Sequence, residues 1–308
     1  MPNALKYLYT YFRYPAYRDF WHMGLGIEAR HRRSERYWRQ HLNLSKDFQK
    51  TSLEGYSGGG TLLVLGAGHL LDIDIDLIKT KFANVALCDA NPALPSIWKS
   101  KFKNSINTEF LIVEISGTLE VWTYALQNFL SKNKAVNGAK LCEFLGNLKT
   151  LEPAIPQYNE DVVFSVNVLS QIPIYWRDRA HRIIEKYWQL QTDEHGKYDR
   201  DLQEALEVSM QKLQLQHINL LKKNSPQYII LISDRYFLYY TKDRSIWQQE
   251  EALFTQRLPE LEGYKKDKHD CWFWHIAPQG IEEQDYGCIH DVFALSYVRK
   301  SKETSIIN

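Results

Sequence analysis

A chain of 308 residues, 44% of them hydrophobic, can bury a large core and is long enough for one large or two smaller domains at about 150 residues each. Its 38 basic and 37 acidic side chains leave a net charge of +1, so bulk charge carries no nucleic-acid-binding footprint and leaves a small molecule as the expected partner. No run reaches the ~18 uninterrupted apolar residues of a membrane span, and the opening stretch interleaves Lys6, Arg13 and Arg18 with aromatics where a signal peptide would be cleanly apolar; the expectation is a cytoplasmic protein.

The first 50 residues hold ten Lys or Arg against four acids, net +6, which leaves −5 for the remainder. Residues 1–55 are expected to form a helical N-terminal cap. Within it, 25–42 reads as a helix with Ile27, Trp38 and Leu42 near one face and Arg32, Arg36 and Arg39 on another. That basic stripe is either an anion-recognising lid or a solvated face paired internally by Glu28 with Arg32 and Glu35 with Arg39, and the spacing favours the solvated face. The stretch Gly55 to Gly60 has four glycines in six residues, the composition of a flexible joint before a following α/β domain over 56–300, with a tail at 301–308.

Beyond the joint, short apolar runs alternate with longer amphipathic ones. Residues 61–66 and 84–89 read as strands of a βαβ unit, followed by buried strands at 109–115, 161–169 and 227–233. Helical patterns lie between them, among them Trp176 to Leu190 and Arg200 to Lys222. Near-continuous apolar strands imply a sheet covered on both faces. Residues 271–277 and 290–298 are joined by a polar loop too short for a helix and predict an antiparallel hairpin at one edge. The segments 114–160 and 175–225 exceed ordinary crossover length and are expected to add helix over the sheet's C-terminal edge, where open α/β folds place ligands. The four cysteines form no CxxC pair and are expected as reduced thiols with no metal, although Cys271 falls on the first strand of that hairpin and Cys288 just before the second.

The turn after the first strand carries Gly66 and Gly68, which let backbone approach a ligand, but the third position of the dinucleotide fingerprint is Leu71. Asp72, Asp74 and Asp76 follow where a nucleotide fold would face a pyrophosphate, and carboxylates there repel a bound anion. Asp76 reads as the cap of the next helix. Asp72 is left between a structural role and contact with the ammonium or sulfonium of a cationic ligand. Asp89 ends the second strand about 20 residues on, where an acid can accept both ribose hydroxyls; a turn role before Ala90-Asn91-Pro92 is the alternative. Of ten histidines, only His69 has a position that suggests chemistry, as a spacer or substrate contact.

Leu65-Gly66-Ala67-Gly68, the acid Asp89, a fourth strand closing as Ser165-Val166-Asn167-Val168-Leu169-Ser170 and the terminal hairpin together resemble class I S-adenosylmethionine-dependent methyltransferases over residues 60 to 300. The resemblance implies a Rossmann-like α/β sheet whose last strand inserts antiparallel, with S-adenosylmethionine across the C-terminal ends of strands one to four. It places Gly66, Ala67, Gly68 and His69 along the methionine portion, Asp89 with Ala90 at the ribose, Glu114 and Ile115 by the adenine, and Asn167 and Val168 against the cofactor from strand four. This sequence departs from the family at Val64 and Leu70, where an acid and a third glycine are usual, and it lacks the Asn-Pro-Pro-Tyr type of strand-four signature. The expected function is methyl transfer to a small molecule under a cap made by residues 1–55 and the insert near 195–224. The rivals are an inactive scaffold of the same fold and a nicotinamide-dependent oxidoreductase, the latter disfavoured by Leu71 and the three aspartates.

Overall fold

The computed structural model describes residues 11–14, 17–103, 106–133, 137–187, 200–243, 245–255 and 257–300. Residues 1–10, the stretch 188–199 and the tail 301–308 lie outside it, and with them the ends of the expected cap, of the helix to Leu190 and of the insert.

Among the described residues eight strands form one sheet. β1 (Gly60–Leu65), β2 (Phe82–Asp89), β3 (Asn107–Ile112), β4 (Val162–Val166) and β5 (Tyr228–Thr241) pair in parallel in the order β3-β2-β1-β4-β5. β8 (Tyr286–Arg299) then pairs antiparallel with β5, and β7 (Tyr264–Ala277) antiparallel with β8. The reversal of strand order falls between β1 and β4, so the crevice for a ligand opens at the C-terminal ends of those strands. β6 (Ile246–Glu251) pairs with the outer half of β5; its alternation of exposed and half-buried polar residues hid it from the sequence reading.

Alternation along the strands builds two cores. Leu63 and Leu65 face one side of the sheet, Leu62 and Val64 the other. The first face is covered by α4 (Leu119–Lys132), α5 (Gly138–Gly146), α6 (Val168–Tyr187) and α7 (Arg200–Leu221). Leu202, Leu206, Met210 and Leu213 of α7 are buried in that core, so its described part is a face of the domain and not the expected second half of a cap. The other face is covered by α1 (Arg18–Ser52), α2 (Ile75–Lys81) and α3 (Leu94–Lys101).

α1 decides the shape of the site. Its helical dihedrals break at Ser34 (φ −112°, ψ 15°). Beyond that kink Trp38, His41, Ser45, Phe48, Gln49 and Ser52 are buried at helical spacing. The Trp38 indole donates to the Ile276 carbonyl at 2.9 Å, and Gln49 bonds the Asp72 carbonyl and the Asp74 amide. Before the kink, α1 runs on over the C-terminal edge of the sheet. Arg32, Arg36 and Arg39 are exposed, as a solvated face would be. Among the described residues the helix's ion pairs differ from those expected: Arg30 and Arg33 reach Glu282, 3.4 and 2.8 Å away, because Glu282 stands beside the helix.

The glycine-rich stretch before β1 is fastened and is no loose joint. Gly59 donates to the Lys81 carbonyl at 2.7 Å, the Lys81 ammonium donates to the Tyr56 carbonyl, and the Tyr56 ring stacks on Phe82. Cys271 faces Phe293 and Cys288 faces Ala277 across the hairpin, so those two thiols are not opposite one another.

Candidate functional site

β1 ends at Leu65 and the chain turns sharply through Gly66 (φ +70°) and Gly68 (φ +49°), the left-handed region that favours glycine. At Gly66 a Cβ would also overlap the Val168 methyl, since β4 passes into α6 through a single residue, Asn167 (φ +59°). Asp89 closes β2 against this turn: one carboxylate oxygen accepts from the Gly68 amide at 2.9 Å and the other from the Asn91 amide at 2.8 Å. Burial raises the Asp89 carboxyl, against the pull of those two bonds. Its turn role and its place at the ligand crevice are therefore compatible, since each oxygen keeps a further acceptor position.

A cavity of about 170 Å³ lies over these strand ends. Of the residues singled out in the sequence, Gly66, Ala67, Gly68, His69, Asp89, Asn167 and Val168 line it. Asp72 lines it too. Its carboxylate accepts from the Asn167 amide at 2.6 Å, and burial pushes it up to about 6 against that bond. The Asn167 side-chain oxygen is buried without a partner. Asp74, and not Asp76, caps α2, accepting from the Leu77 amide at 2.9 Å; the helix begins two residues earlier than the sequence suggested.

Ala90 is buried and does not line this cavity, and Glu114 is turned away from it. The Glu114 carboxylate accepts from the amides of Ser116, Thr118 and Leu119 and from the Ser116 hydroxyl, satisfying free N–H groups at the start of α4. Ile115 remains near the turn, its Cδ1 3.7 Å from the position of a Gly66 Cβ.

The first half of α1 closes the cavity. Phe20, Met23, Gly24 and Ile27 line it from above, and His69 Nε2 lies 3.1 Å from the Gly24 carbonyl, the distance of a donated hydrogen bond. Burial lowers the His69 imidazole, consistent with a neutral ring that latches cap to turn. Phe20 stacks on Tyr175 of α6 at 4.7 Å, and Asp19 meets Arg179 at 3.3 Å.

A second, larger cavity of about 720 Å³ adjoins the first; Met23, Ile27, Gln171 and Trp274 line both. At its base are Asp234 of β5 and His290 of β8, with His290 Nδ1 3.2 Å from Asp234 Oδ1. Asp234 sits at a register shift where β5 bulges against β8, a place where strands commonly re-aim a side chain. Burial would raise its carboxyl, but the neighbouring His290 and the Ser170 hydroxyl outweigh that and hold it below the usual value. Trp274 divides the cavities, stacked on His41 at 4.0 Å and edge-on to His290 at 5.3 Å. His41 Nδ1 accepts from the Trp272 indole, so the ring's proton is on Nε2, which is buried and unpartnered; burial lowers this imidazole to about 3.

None of Asp234, His290 and His41 was singled out in the sequence. Asp234 had a signal, since it follows the apolar run of β5 as Asp89 follows that of β2. The histidines had none, because their elements meet only in the folded chain. Among the described residues no cluster of three or more metal-ligating side chains occurs, and no helix is long and apolar enough to cross a membrane.

The parallel order β3-β2-β1-β4-β5 ending in antiparallel β8 and β7, with a glycine turn at the end of β1 and an acid at the end of β2, is the Rossmann-like sheet with an antiparallel last strand that the sequence resemblance implied. No family model and no curated protein matches the sequence. Among solved structures the chain is similar to the N-methyltransferase NodS from Bradyrhizobium japonicum WM9 in complex with S-adenosyl-L-homocysteine, at 8% identity over 85% of this chain and 87% of that one, with a TM-score of 0.39. It is similar to an rRNA methylase from Streptococcus thermophilus at 10% identity, covering 84% and 97% of the two chains with a TM-score of 0.35. For DhpI in complex with SAH the figures are 8%, 90%, 96% and 0.32.

Proposed function

We propose that the protein binds S-adenosylmethionine in the first cavity and methylates a small molecule held in the second. The observation that carries this reading is the Asp89 carboxylate, buried at the end of β2 against the Gly66–Gly68 turn and lining the cavity with acceptor capacity to spare. Gly66, Ala67 and Gly68 would meet the methionine portion with backbone, and Asp89 would accept from the ribose hydroxyls. Asp72 and the unpartnered Asn167 oxygen would take the ammonium, a cation that would ease the cost of keeping Asp72 ionised. Val168, with Leu71 and Leu94, would give the site its apolar wall, with Ile115 behind the turn, and His69 would hold the cap. Bound there, the cofactor supplies a methyl group on a positively charged sulfur. The chain's part is then alignment of an acceptor next to it, which the shared wall of the two cavities allows.

The polar groups fit this cofactor, but the space is short of the roughly 300 Å³ or more that ligand sites usually offer. Phe20 and Met23 line it from α1, so in this reading loading would lift the part of α1 before Ser34. In this reading residues 1–55 act as a cap on the α/β domain. The closed cap is also what favours a second reading, a binding scaffold of the same fold without transfer. A nicotinamide-dependent reaction has less support, because the Asp72 carboxylate stands where a pyrophosphate would need donors.

Calorimetric titration with S-adenosylmethionine, S-adenosylhomocysteine and NAD decides among the three. Binding of the first two and not the third is expected. No heat from either sulfur ligand at millimolar concentration would leave the scaffold, and tight NAD binding would leave the oxidoreductase.

A further inference from the structure

The second cavity has an acidic lining, with Asp19, Asp178, Glu185 and Asp234 against one guanidinium, Arg182. Arg182 lies 3.9 Å from Asp19, which Arg179 also approaches, so Asp19 is answered. Asp178 meets Arg177 at 3.1 Å near the rim. Asp234 is different. It is 1% exposed, and the Ser170 hydroxyl donates to Oδ2 at 2.8 Å. Oδ1 has no hydrogen-bond partner; the His290 ring nitrogen 3.2 Å away is at ion-pair distance without hydrogen-bond alignment. A carboxylate oxygen out of water with an unused lone pair is costly unless something donates to it. Here the open side is the cavity that the residue lines.

Aromatic rings frame the same space: Phe237, whose centroid is 4.3 Å from that of His290, then Trp274 and Tyr175. A buried carboxylate among aromatic faces is a site for a cation carrying apolar substituents, since the rings' electron-rich faces attract positive charge as the acid does. An anionic ligand would meet acid at the base and would leave Asp234 Oδ1 without a hydrogen-bond donor.

We infer that the second cavity binds an aliphatic or arylalkyl amine in its ammonium form, with the nitrogen against Asp234 Oδ1 and the apolar part between Phe237 and Trp274. As the identity of the methyl acceptor this rests on the reading of the first cavity; as a binding site it stands on these contacts alone.

Three probes of similar length test this: 2-phenylethylamine, the neutral 2-phenylethanol and the anionic 3-phenylpropanoate, titrated by calorimetry and ligand-observed NMR at pH 7 with and without S-adenosylhomocysteine. In the wild type the amine is expected to bind at least tenfold more tightly than the alcohol, and the propanoate most weakly. Asp234→Asn should lower amine affinity at least tenfold and leave the alcohol within about threefold. An alcohol or propanoate that binds as well as the amine, failure of all three probes at 10 mM, or a folded Asp234→Asn protein that keeps the preference would overturn the inference. If that variant does not fold, the wild-type ranking still decides. The nucleoside titration in the same samples separates the two readings: amine preference without nucleoside binding removes the cofactor reading alone, and nucleoside binding without amine preference removes this one alone.

Discussion

Asp89 offers the sharpest test of the cofactor reading because its structural and binding roles can be measured apart. Asp89→Ala strands the Gly68 and Asn91 amides, which now donate to the carboxylate at 2.9 and 2.8 Å. At about 1–3 kcal/mol for each unsatisfied donor, less what water recovers, unfolding free energy should fall by about 2–4 kcal/mol. Two ribose hydroxyls donating to an ionised acceptor would add roughly 1.5–3 kcal/mol each to ligand affinity, and at 1.4 kcal/mol per decade the loss should exceed tenfold. Asp89→Asn keeps one acceptor oxygen and should be intermediate in both measurements. A disturbed loop alone could also weaken binding, so the ligand must be varied together with the protein. In a cycle with S-adenosylhomocysteine and its 2′-deoxy analogue, the wild type should prefer the parent and Asp89→Ala should have lost most of that preference, a coupling of about 1 kcal/mol or more. Calorimetry gives the four affinities and denaturant titration the two stabilities. Additive losses, with the preference for the 2′-hydroxyl intact in the variant, would show that Asp89 shapes the turn without touching the ribose, and the carrying observation of the proposed function would fail.

Gly66→Ala forces a side chain into left-handed backbone and against Val168, so stability should drop by about 1–2 kcal/mol for the dihedral and about 1–3 kcal/mol for the overlap; adding Val168→Ala should restore only part of the second term, and a neutral single variant in chemical denaturation would refute this geometry. Trp38→Phe should cost about 1–3 kcal/mol by stranding the Ile276 carbonyl, and Trp38→Ala about 3–5 kcal/mol, as expected if α1 is part of the domain core; thermal unfolding unchanged in the alanine variant would contradict that docking. Acid should unfold the protein through its buried histidines. His217, 2.8 Å from the Ser165 hydroxyl, is lowered by burial to about 4 and His41 to about 3, each from 6.5, so the unfolded chain takes up protons first and stability falls as pH drops from about 6.5 toward 4. Each should contribute on the order of 1 kcal/mol per pH unit in that window, offset in part by Asp72, whose raised carboxyl takes up its proton first in the folded chain, and a urea-midpoint slope between pH 7 and 5 that is the same in His41→Gln and His217→Gln as in the wild type would be inconsistent with both rings being neutral and buried.

The five parallel strands were legible because each contains a short apolar run bounded by Gly, Asp or a polar turn, and the inner ones, buried on both faces, have no other composition available; β3, at the edge, is apolar only in its second half. The Gly66-Ala67-Gly68 turn and Asp89 were legible for a related reason: only glycine takes the first and third positions of that turn without strain, and Asp89 stands at the end of β2 where the turn's amides need an acceptor. Glu114 misled because a carboxylate after β3 serves the start of α4 as readily as a ligand, and sequence spacing does not choose between them. α7 misled because an amphipathic helix shows that it is covered, not by what; its apolar stripe lies on a sheet face. What the chain by itself determined was thus a doubly covered sheet and one strand-end turn. The tertiary structure alone decided that α1 breaks at Ser34 and closes over that turn, and that Asp234, His290, His41 and Trp274, drawn from β5, β8, α1 and β7, share one wall. The physical reason is that these contacts join residues up to 233 positions apart, His41 to Trp274, and local periodicity reports which face of an element is buried but carries nothing about its partner.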